Sequence, residues 1–258
     1  MKARSGLEGL YERFLGWQIR HVPLHIAIIQ DGNRRFARAQ GLEVGHGHRL
    51  GADTTEQVLD WAAGAGVKYI TLYSFSTENF RRESAELAGL FSLFKERFKK
   101  IISDERIHRR KIRVRVLGDR ALLPPDRLER VEAAEAATRP YGNYFLNIAL
   151  AYGGRNEIVH AARAILGEVR DGAITPALID PALVEGHLSS GRDLPPVDLI
   201  IRTGAERRTS NFLPWLGNGK ESAVYFCAPH WPAFRKIDFF RALRVYDQRM
   251  RGKGIVRE

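Results

Sequence analysis

The stretch that decides the fold is HIAIIQDGNRRFA, residues 25–37, in which an apolar run is followed by Asp31-Gly32-Asn33-Arg34-Arg35 and then by a predicted helix. A strand that ends where a helix begins presents free backbone N–H groups to an anion. The glycine lets the backbone approach closely, the arginines add charge-assisted donors, and the carboxylate can hold a divalent cation. The pattern indicates a diphosphate and metal site, although an ordinary strand-to-helix turn capped by Asp or Asn fits the same five residues.

The composition is typical of a soluble globular protein. With 258 residues the chain is long enough for one large α/β domain or two smaller ones, and no boundary favours two, so we treat residues 1–258 as a single domain. No apolar run approaches the roughly 18 residues that span a bilayer. Hydrophobic residues make up 44% and charged residues 28% of the chain, which excludes an integral membrane protein.

The two ends of the chain have distinct patterns. Residues 1–20 alternate apolar and charged positions, which predicts an N-terminal amphipathic helix and excludes a secretory signal. Residues 244–258 form a basic C-terminal tail. The single cysteine, Cys227, excludes an intrachain disulfide and favours a cytoplasmic location.

The formal net charge of +11 favours phosphorylated small molecules, polyanions or an anionic membrane surface as partners. The basic residues are not interleaved with aromatic ones, and no nucleic-acid-binding signature is present, so we expect no nucleic acid. A basic RNA-binding protein remains as an outside alternative, and peripheral contact with a membrane is compatible with the charge.

Six short runs rich in β-branched and aromatic residues alternate with helical segments, which predicts an α/β fold with a central, mostly parallel six-stranded sheet flanked by helices. The predicted strands are His25–Gln30, Lys68–Ser74, Ile112–Leu117, Tyr144–Leu150, Val197–Ile201 and Ala223–Phe226. Between them, residues 87–101 carry an aromatic-rich stripe at helical spacing. Such a stripe is ordinarily core packing, and only an apolar substrate would make it a tunnel wall.

Polar clusters follow three of these strands, at residues 31–35, 74–82 and 202–211. Ligands of parallel sheets gather at the carboxyl ends of the strands, so these clusters are expected to converge. Together they hold enough guanidinium groups and hydroxyls to clamp two separate diphosphates. Asp31 is the single carboxylate that we expect to bind a metal there.

These motifs, in this order, resemble the cis-prenyltransferase family, whose best-known members are the undecaprenyl diphosphate synthases. The resemblance runs from His21 to Arg251 through HIAIIQDGNRRFA, GHRLGA, TLYSFSTENF, VRVLGD, LNIALAYGGR, IIRTGAERRTSNFLPW and YFCAPHWPAF. The DGNRR variant and the leader LYERFLGWQIRH look closer to the archaeal-type branch. The absence of any Asp-Asp pair argues against the trans-type prenyl synthases, which bind metals through paired aspartate-rich motifs.

The resemblance implies a parallel-sheet fold with a hydrophobic tunnel, and cis-prenyl chain elongation. Isopentenyl diphosphate would be condensed onto an allylic diphosphate primer, such as farnesyl or geranylgeranyl diphosphate, to make a medium- or long-chain polyprenyl diphosphate. It also implies Mg²⁺ as cofactor and a homodimer. Two alternatives stay open: a non-catalytic partner subunit of the same fold, and a relative that condenses two allylic diphosphates.

The resemblance also implies roles for individual residues. Asp31 and Asn79 would be catalytic, with Asp31 and Glu221 at the metal. Glu221 matches the family's glutamate only if a two-residue insertion follows it; otherwise Ala223 occupies that place. The implied substrate-binding residues are Gly32, Asn33, Arg34, Arg35, Phe36, His48, Ser76, Phe80, Arg82, Arg202, Arg208 and Ser210.

Two positions depart from the pattern common in bacterial members. Val44 stands where those members often carry an arginine, and we expect Arg34 to supply the missing charge. Tyr144 aligns with a tunnel-floor position that is often leucine, so we predict that it limits chain length. A surface position at a strand end explains Tyr144 equally well.

Overall fold

A parallel six-stranded sheet organises the protein in a computed structural model that describes residues 6–191, 194–217 and 222–252. The strand order is β3-β4-β2-β1-β5-β6, and every neighbouring pair is parallel. The predicted α/β architecture with a six-stranded sheet is therefore confirmed. The strands are β1 (His25–Ile29), β2 (Tyr69–Ser76), β3 (Ile112–Leu117), β4 (Tyr144–Tyr152), β5 (Leu199–Arg202) and β6 (Ala223–Phe226).

Helices connect the strands and cover both faces of the sheet. Short 3₁₀ turns lie at Thr77–Arg81, Arg120–Leu122, Pro176–Leu178 and Trp231–Ala233. The helices are α1 (Gly6–Gln18), α2 (Asn33–Ala39), α3 (Val44–Ala65), α4 (Ser84–Ser103), α5 (Glu105–Arg110), α6 (Pro125–Thr138), α7 (Gly154–Arg170), α8 (Pro181–His187) and α9 (Lys236–Gly252).

The apolar run that opens the deciding stretch becomes a central strand. All five residues of β1 are buried because β1 lies between β2 and β5 and both of its faces are covered. Ile26 and Ile28 pack into the core cluster that contains Phe239 of α9. Ala27 and Ile29 pack on the opposite face. Burial on both sides fixes the position at which β1 delivers Asp31 to the carboxyl edge of the sheet.

Predicted and observed strands differ by two residues at the ends of β2 and β4, which run to Ser76 and Tyr152, and at the start of β5, which begins at Leu199 where Val197 was predicted. The register between β2 and β4 shifts between Tyr73 and Phe75 and again between Phe75 and Ser76. Such irregularities interrupt the two-residue alternation by which a strand is recognised in sequence. The extension carries the chain directly into the predicted substrate loop.

The predicted N-terminal helix is α1, and residues 1–5 of that prediction lie outside the described residues. Its inner face rests on α9, where Leu15 is fully buried and a Cβ at Gly16 would lie 3.7 Å from the ring of Phe240. Residues 244–252 of the predicted basic tail form the last turns of α9, and residues 253–258 fall outside the described part.

Candidate active site

Asp31 lies at the centre of the carboxyl edge of the sheet and is held by two guanidinium groups. Its Oδ2 accepts a hydrogen bond from Nη2 of Arg202 at 2.8 Å, and its Oδ1 lies 3.0 Å from Nη2 of Arg35. The loops after β1 and β5 meet here because Ile29 and Arg202 are register partners in the sheet. The structure thus brings together two of the three polar clusters that were expected to converge.

Two glycines allow these loops to approach each other. Gly32 has φ +107°, and a Cβ there would lie 2.6 Å from Nδ1 and 2.9 Å from Cα of His230. Gly204 has φ +83°, and a Cβ there would lie 2.6 Å from Nη2 of Arg35. Positive φ is costly for a side-chain-bearing residue at both positions, and at Gly32 the backbone of His230 also leaves no room for one. The site therefore requires glycine on both sides of Asp31.

Arg202 is 4% exposed and is fixed by the loop that follows its own strand. Its Nη1 donates to the carbonyl of Arg208 at 2.6 Å and to Oγ of Ser210 at 2.7 Å. The guanidinium of Arg208 is exposed and pairs instead with Glu206, with Nη1 and Oε2 2.6 Å apart. Arg208 thus contributes its backbone oxygen to the site, whereas its predicted role called for its side chain.

Several buried polar atoms around Asp31 have no hydrogen-bond partner among the described residues. They are Oδ1 of Asn33, Nε of Arg202 and Nδ1 of His230. Buried polar atoms in proteins are nearly always paired. Three unpaired atoms beside a carboxylate and two guanidinium groups fit a polar, charged ligand.

A second cluster forms around Glu86 at the start of α4. Its Oε1 accepts from Nη1 of Arg82 at 2.8 Å and lies 3.3 Å from Nε2 of His48, while Oε2 is 3.6 Å from Nε of Arg34. Burial lowers the pKa of His48, with the neighbouring Arg82 and Arg34 acting in the same direction and Glu86 opposing them. The cluster joins three of the predicted substrate-binding residues, Arg34, His48 and Arg82, through a carboxylate that the sequence analysis missed.

The loop after β2 is held by its own capping box: Asn79 Oδ1 accepts from the backbone N–H of Ser76 at 3.1 Å. The ring of Phe80 packs edge-on against Phe75 at 4.9 Å between centroids. Glu78 accepts a hydrogen bond from the side chain of Asn211 at 2.9 Å. This last contact links the second polar cluster to the third. The predicted residue Phe36 is half-buried within α2.

An apolar cavity of about 190 Å³ begins beside this site, with polar residues Gln30, Asn33, His48 and Ser74 at its mouth. It runs between the sheet, α3 and α4 toward the strand starts. There Ile112 and Leu146 line it. Phe94 and Phe98 from the predicted stripe on α4 also line it, and Phe91 packs against Phe75 instead. The stripe thus serves both as cavity wall and as core, and the cavity matches the predicted tunnel.

Ion pairs close one side of this cavity. Glu56 of α3 is the hub, with its carboxylate 2.6 Å from Arg97, 2.7 Å from Lys100 and 2.8 Å from Arg106. Burial alone would raise the pKa of Glu56, but hydrogen bonds from Lys100 and Arg106 outweigh it and lower the pKa. The seam between α3 and α4 is therefore ionic, while the interior that it borders is apolar.

Two predicted residues are not seen at the Asp31 cluster: Tyr144 lies at the start of β4, and Glu221 is outside the described residues. Tyr144 is half-buried opposite Ile112, and Nζ of Lys68 lies 5.0 Å from the centre of its ring. Its neighbours Ile112 and Leu146 line the deep end of the cavity, whereas Tyr144 itself does not, so its role in chain length stays a prediction. Glu221 falls outside the described residues.

Sequence reasoning missed the residues that hold the backbone of Asp31. Its carbonyl accepts from Oγ1 of Thr203 at 2.7 Å and from the backbone N–H of Trp231 at 3.0 Å. His230 packs against Gly32 in the same place. Residues 228–232, APHWP, entered the sequence analysis only through the family resemblance. Nothing in their local pattern indicates that Trp231 contacts Asp31, a residue 200 positions earlier in the chain.

Comparison with known proteins identifies relatives of this chain. Residues 29–254 match the profile of the family described as "Putative undecaprenyl diphosphate synthase". Three archaeal relatives carry the name tritrans,polycis-undecaprenyl-diphosphate synthase (geranylgeranyl-diphosphate specific). The Methanopyrus kandleri protein is 48% identical over 95% of this chain and 90% of its own length. The Methanosarcina mazei protein is 47% identical over 94% and 83%, and the Archaeoglobus fulgidus protein 47% over 93% and 96%.

A solved structure also matches the fold. It is lavandulyl diphosphate synthase from Lavandula x intermedia in complex with dimethylallyl diphosphate, with a TM-score of 0.80 and 30% identity over 88% of this chain and 95% of that one. The matching family, the archaeal relatives and this solved structure are all named as prenyl diphosphate synthases, so the chain is a transferase that acts on prenyl diphosphates. The chain belongs to the undecaprenyl diphosphate synthase family of cis-prenyltransferases. The predicted family, fold and enzyme class are therefore confirmed, including the archaeal-type affinity.

Proposed function

We propose that this protein condenses isopentenyl diphosphate repeatedly onto an allylic diphosphate primer and makes a cis double bond at each step. The main support is the position of Asp31, whose carboxylate forms ion pairs with Arg35 and Arg202 beside the mouth of an apolar cavity. A cluster of charged side chains beside an apolar cavity suits a molecule with a diphosphate head and a hydrocarbon tail. The names of the archaeal relatives favour geranylgeranyl diphosphate as primer, with farnesyl diphosphate as the shorter choice.

The primer diphosphate belongs at the start of α2. The free N–H groups of that helix, the guanidinium groups of Arg34 and Arg35, and His48 all serve an anion there. The residues fit Mg²⁺ because Asp31 offers a hard oxygen ligand and Oδ1 of Asn33 is an unpaired buried oxygen. When bound, Mg²⁺ would neutralise charge on the departing diphosphate. Glu221, as the second metal residue, remains part of this proposal.

Isopentenyl diphosphate belongs at the loop after β5, where Arg202 and Ser210 would hold its diphosphate. The guanidinium of Arg208 would join them by leaving its ion pair with Glu206. Fixing its double bond next to the allylic carbon replaces a bimolecular encounter with an ordered one. The allylic C–O bond breaks with its electron pair leaving on diphosphate, and the isopentenyl double bond supplies the electrons of the new C–C bond. A proton then passes to a diphosphate oxygen, and Asn79, on the loop with Ser76, Phe80 and Arg82, positions that transfer.

We also infer a homodimer in the cytoplasm. Large apolar side chains stay exposed on α7 and the segment after it: Leu166 is 64%, Leu178 60% and Val159 47% exposed. Burial of such a surface against a second copy would remove it from water. No helix in the described part of the chain has the length and hydropathy needed to cross a bilayer.

The two alternatives are less well supported. A non-catalytic subunit has no need of the Asp31 and Arg202 pair, which is intact here. Condensation of two allylic diphosphates has less support, since the solved structure with an allylic diphosphate bound, lavandulyl diphosphate synthase, is only 30% identical to this chain. The archaeal relatives are nearer in sequence and are named as polycis-undecaprenyl synthases.

The experiment that separates these functions is product analysis. Purified protein is incubated with Mg²⁺, labelled isopentenyl diphosphate and allylic primers of increasing length, and the dephosphorylated alcohols are sized. An elongase incorporates several labels per primer, and Asp31→Asn abolishes incorporation. No incorporation with any primer would refute the proposal. Consumption of an allylic diphosphate without isopentenyl label would instead support the branched-product alternative.

A further inference from the structure

Gln30 lies between the charged cluster at Asp31 and the apolar cavity, and it has no role in the mechanism above. It continues the alternation of Ile26 and Ile28 on the face of the sheet against which the cavity lies. At the mouth, the sheet contributes the polar side chains of Gln30 and Ser74 to the cavity wall. The sheet residues that line the cavity further in are Leu72, Ile112, Leu146 and Ile148.

Hydrogen bonding fixes the direction in which the amide of Gln30 faces. Its Nε2 donates to Oγ1 of Thr55 at 2.6 Å. Oγ1 of Thr55 donates its own proton to the carbonyl of Gly51 at 2.9 Å, so toward Gln30 it can only accept. The NH₂ group must therefore point at Thr55 on α3. The amide oxygen then faces Ser74 on β2, whose Oγ lies 3.4 Å from it.

The amide oxygen of Gln30 keeps most of its capacity to interact with a ligand. A carbonyl oxygen has two lone pairs, and the contact with Ser74 at 3.4 Å is a long, weak hydrogen bond. The negative end of the amide dipole is thus held in one orientation at the mouth of the cavity, which Asn33 and His48 also line.

The reacting carbon of an allylic primer belongs at this mouth. In the proposed function, on which this inference rests, the primer diphosphate lies at the start of α2 and its hydrocarbon tail fills the cavity. The allylic carbon joins these two parts and so lies beside Gln30, the residue before Asp31. As the C–O bond breaks, its electron pair leaves on the diphosphate, and positive charge spreads over the first and third carbons of the allyl group.

We propose that Gln30 is a catalytic residue whose amide oxygen stabilises this positive charge. A dipole that is already oriented toward developing charge lowers the barrier without reorganising during the reaction. The oxygen forms no bond and takes no proton, because the electrons of the isopentenyl double bond neutralise the charge when the new C–C bond forms. Thr55 is a positioning residue, since its hydroxyl holds the amide with the oxygen toward the mouth.

Equilibrium binding of two unreactive primer analogues tests this role without turnover. Both keep the diphosphate and the hydrocarbon tail. One carries a protonated tertiary amine in place of the third carbon and mimics the allylic cation, whereas the other lacks the allylic double bond and is uncharged there. Gln30→Met keeps the length of the side chain but removes the dipole. We expect it to raise Kd for the cationic analogue about tenfold and to change Kd for the neutral analogue less than about twofold.

Gln57→Met is the matched control, because Gln57 is exposed on α3 and does not line the cavity. It should leave both Kd values unchanged. Equal weakening of both analogues by Gln30→Met would show a merely structural role and overturn the proposal, as would parental Kd values for both. Elongation by the parent protein is measured separately with labelled isopentenyl diphosphate. Its absence would refute the proposed function, whereas the two Kd values decide the role of Gln30.

Discussion

Substitution of Arg202 by lysine tests the isopentenyl side of the site, because the guanidinium makes three contacts that an ammonium cannot reproduce together. These contacts join Asp31, the carbonyl of Arg208 and Oγ of Ser210 at 2.8, 2.6 and 2.7 Å. Lysine keeps the charge but can aim at only part of this fork. Loss of two charge-assisted hydrogen bonds at about 1.5 kcal/mol each amounts to roughly 3 kcal/mol. We therefore expect kcat/KM for isopentenyl diphosphate to fall on the order of 100-fold.

The assay is steady-state incorporation of labelled isopentenyl diphosphate at saturating primer, with KM and kcat determined separately. Arg207→Lys is the matched control, since Arg207 is exposed in the same loop and has no described contact with Asp31. The loss should appear mainly in KM for isopentenyl diphosphate, with KM for the primer little changed because Arg35 still holds Asp31 on the primer side. An Arg202→Lys enzyme with parental KM and kcat would refute the assignment of Arg202 to the isopentenyl diphosphate site. Thermal unfolding of both variants checks that they are folded.

Three further outcomes are expected. Burial lowers the pKa of His25 to about 4 from an ordinary 6.5, so only the unfolded chain takes up this proton between those pH values. The free energy of unfolding should therefore fall by about 3 kcal/mol from pH 6.5 to 4, and denaturant titrations of His25→Asn should lack this part of the slope. Arg34→Gly should raise KM for the primer markedly. An unchanged KM would refute the proposal that Arg34 supplies the charge missing at Val44. Tyr144→Ala should yield longer alcohols. If product sizing shows chains of the parental length, Tyr144 does not limit chain length at the tunnel floor.

The sheet was predictable because its central strands are buried apolar runs and its edge strands, β3 and β6, are rich in β-branched and aromatic residues. Ile112–Leu117 and Ala223–Phe226 are observed at their predicted bounds. Strand β2 was shortened in the prediction because its register shifts near Phe75 interrupt the alternation. The convergence of Asp31 and Arg202 followed from a general property of parallel sheets, namely that the carboxyl ends of the strands share one edge.

The directions in which side chains point could not be predicted from the sequence. Arg208 was expected to point its guanidinium into the site, yet that group pairs with Glu206 and only its carbonyl faces Arg202. Glu86 could have been paired with Arg82 from their spacing of four residues. Its contact with His48 depends on how α3 and α4 pack, which no local pattern encodes. Residue types thus located the site, while tertiary packing decided which atoms face it.

In the proposed mechanism, the carboxylate of Asp31 and the loops after β1 and β5 bind a pair of diphosphates. A crystal structure of the protein with Mg²⁺, isopentenyl diphosphate and an unreactive analogue of the allylic primer tests it most directly. We expect Mg²⁺ on Asp31, one diphosphate at the start of α2 beside Arg35, and the other within hydrogen-bond distance of Arg202 and Ser210. A metal bound without Asp31, or a second diphosphate that does not touch Arg202, would contradict it.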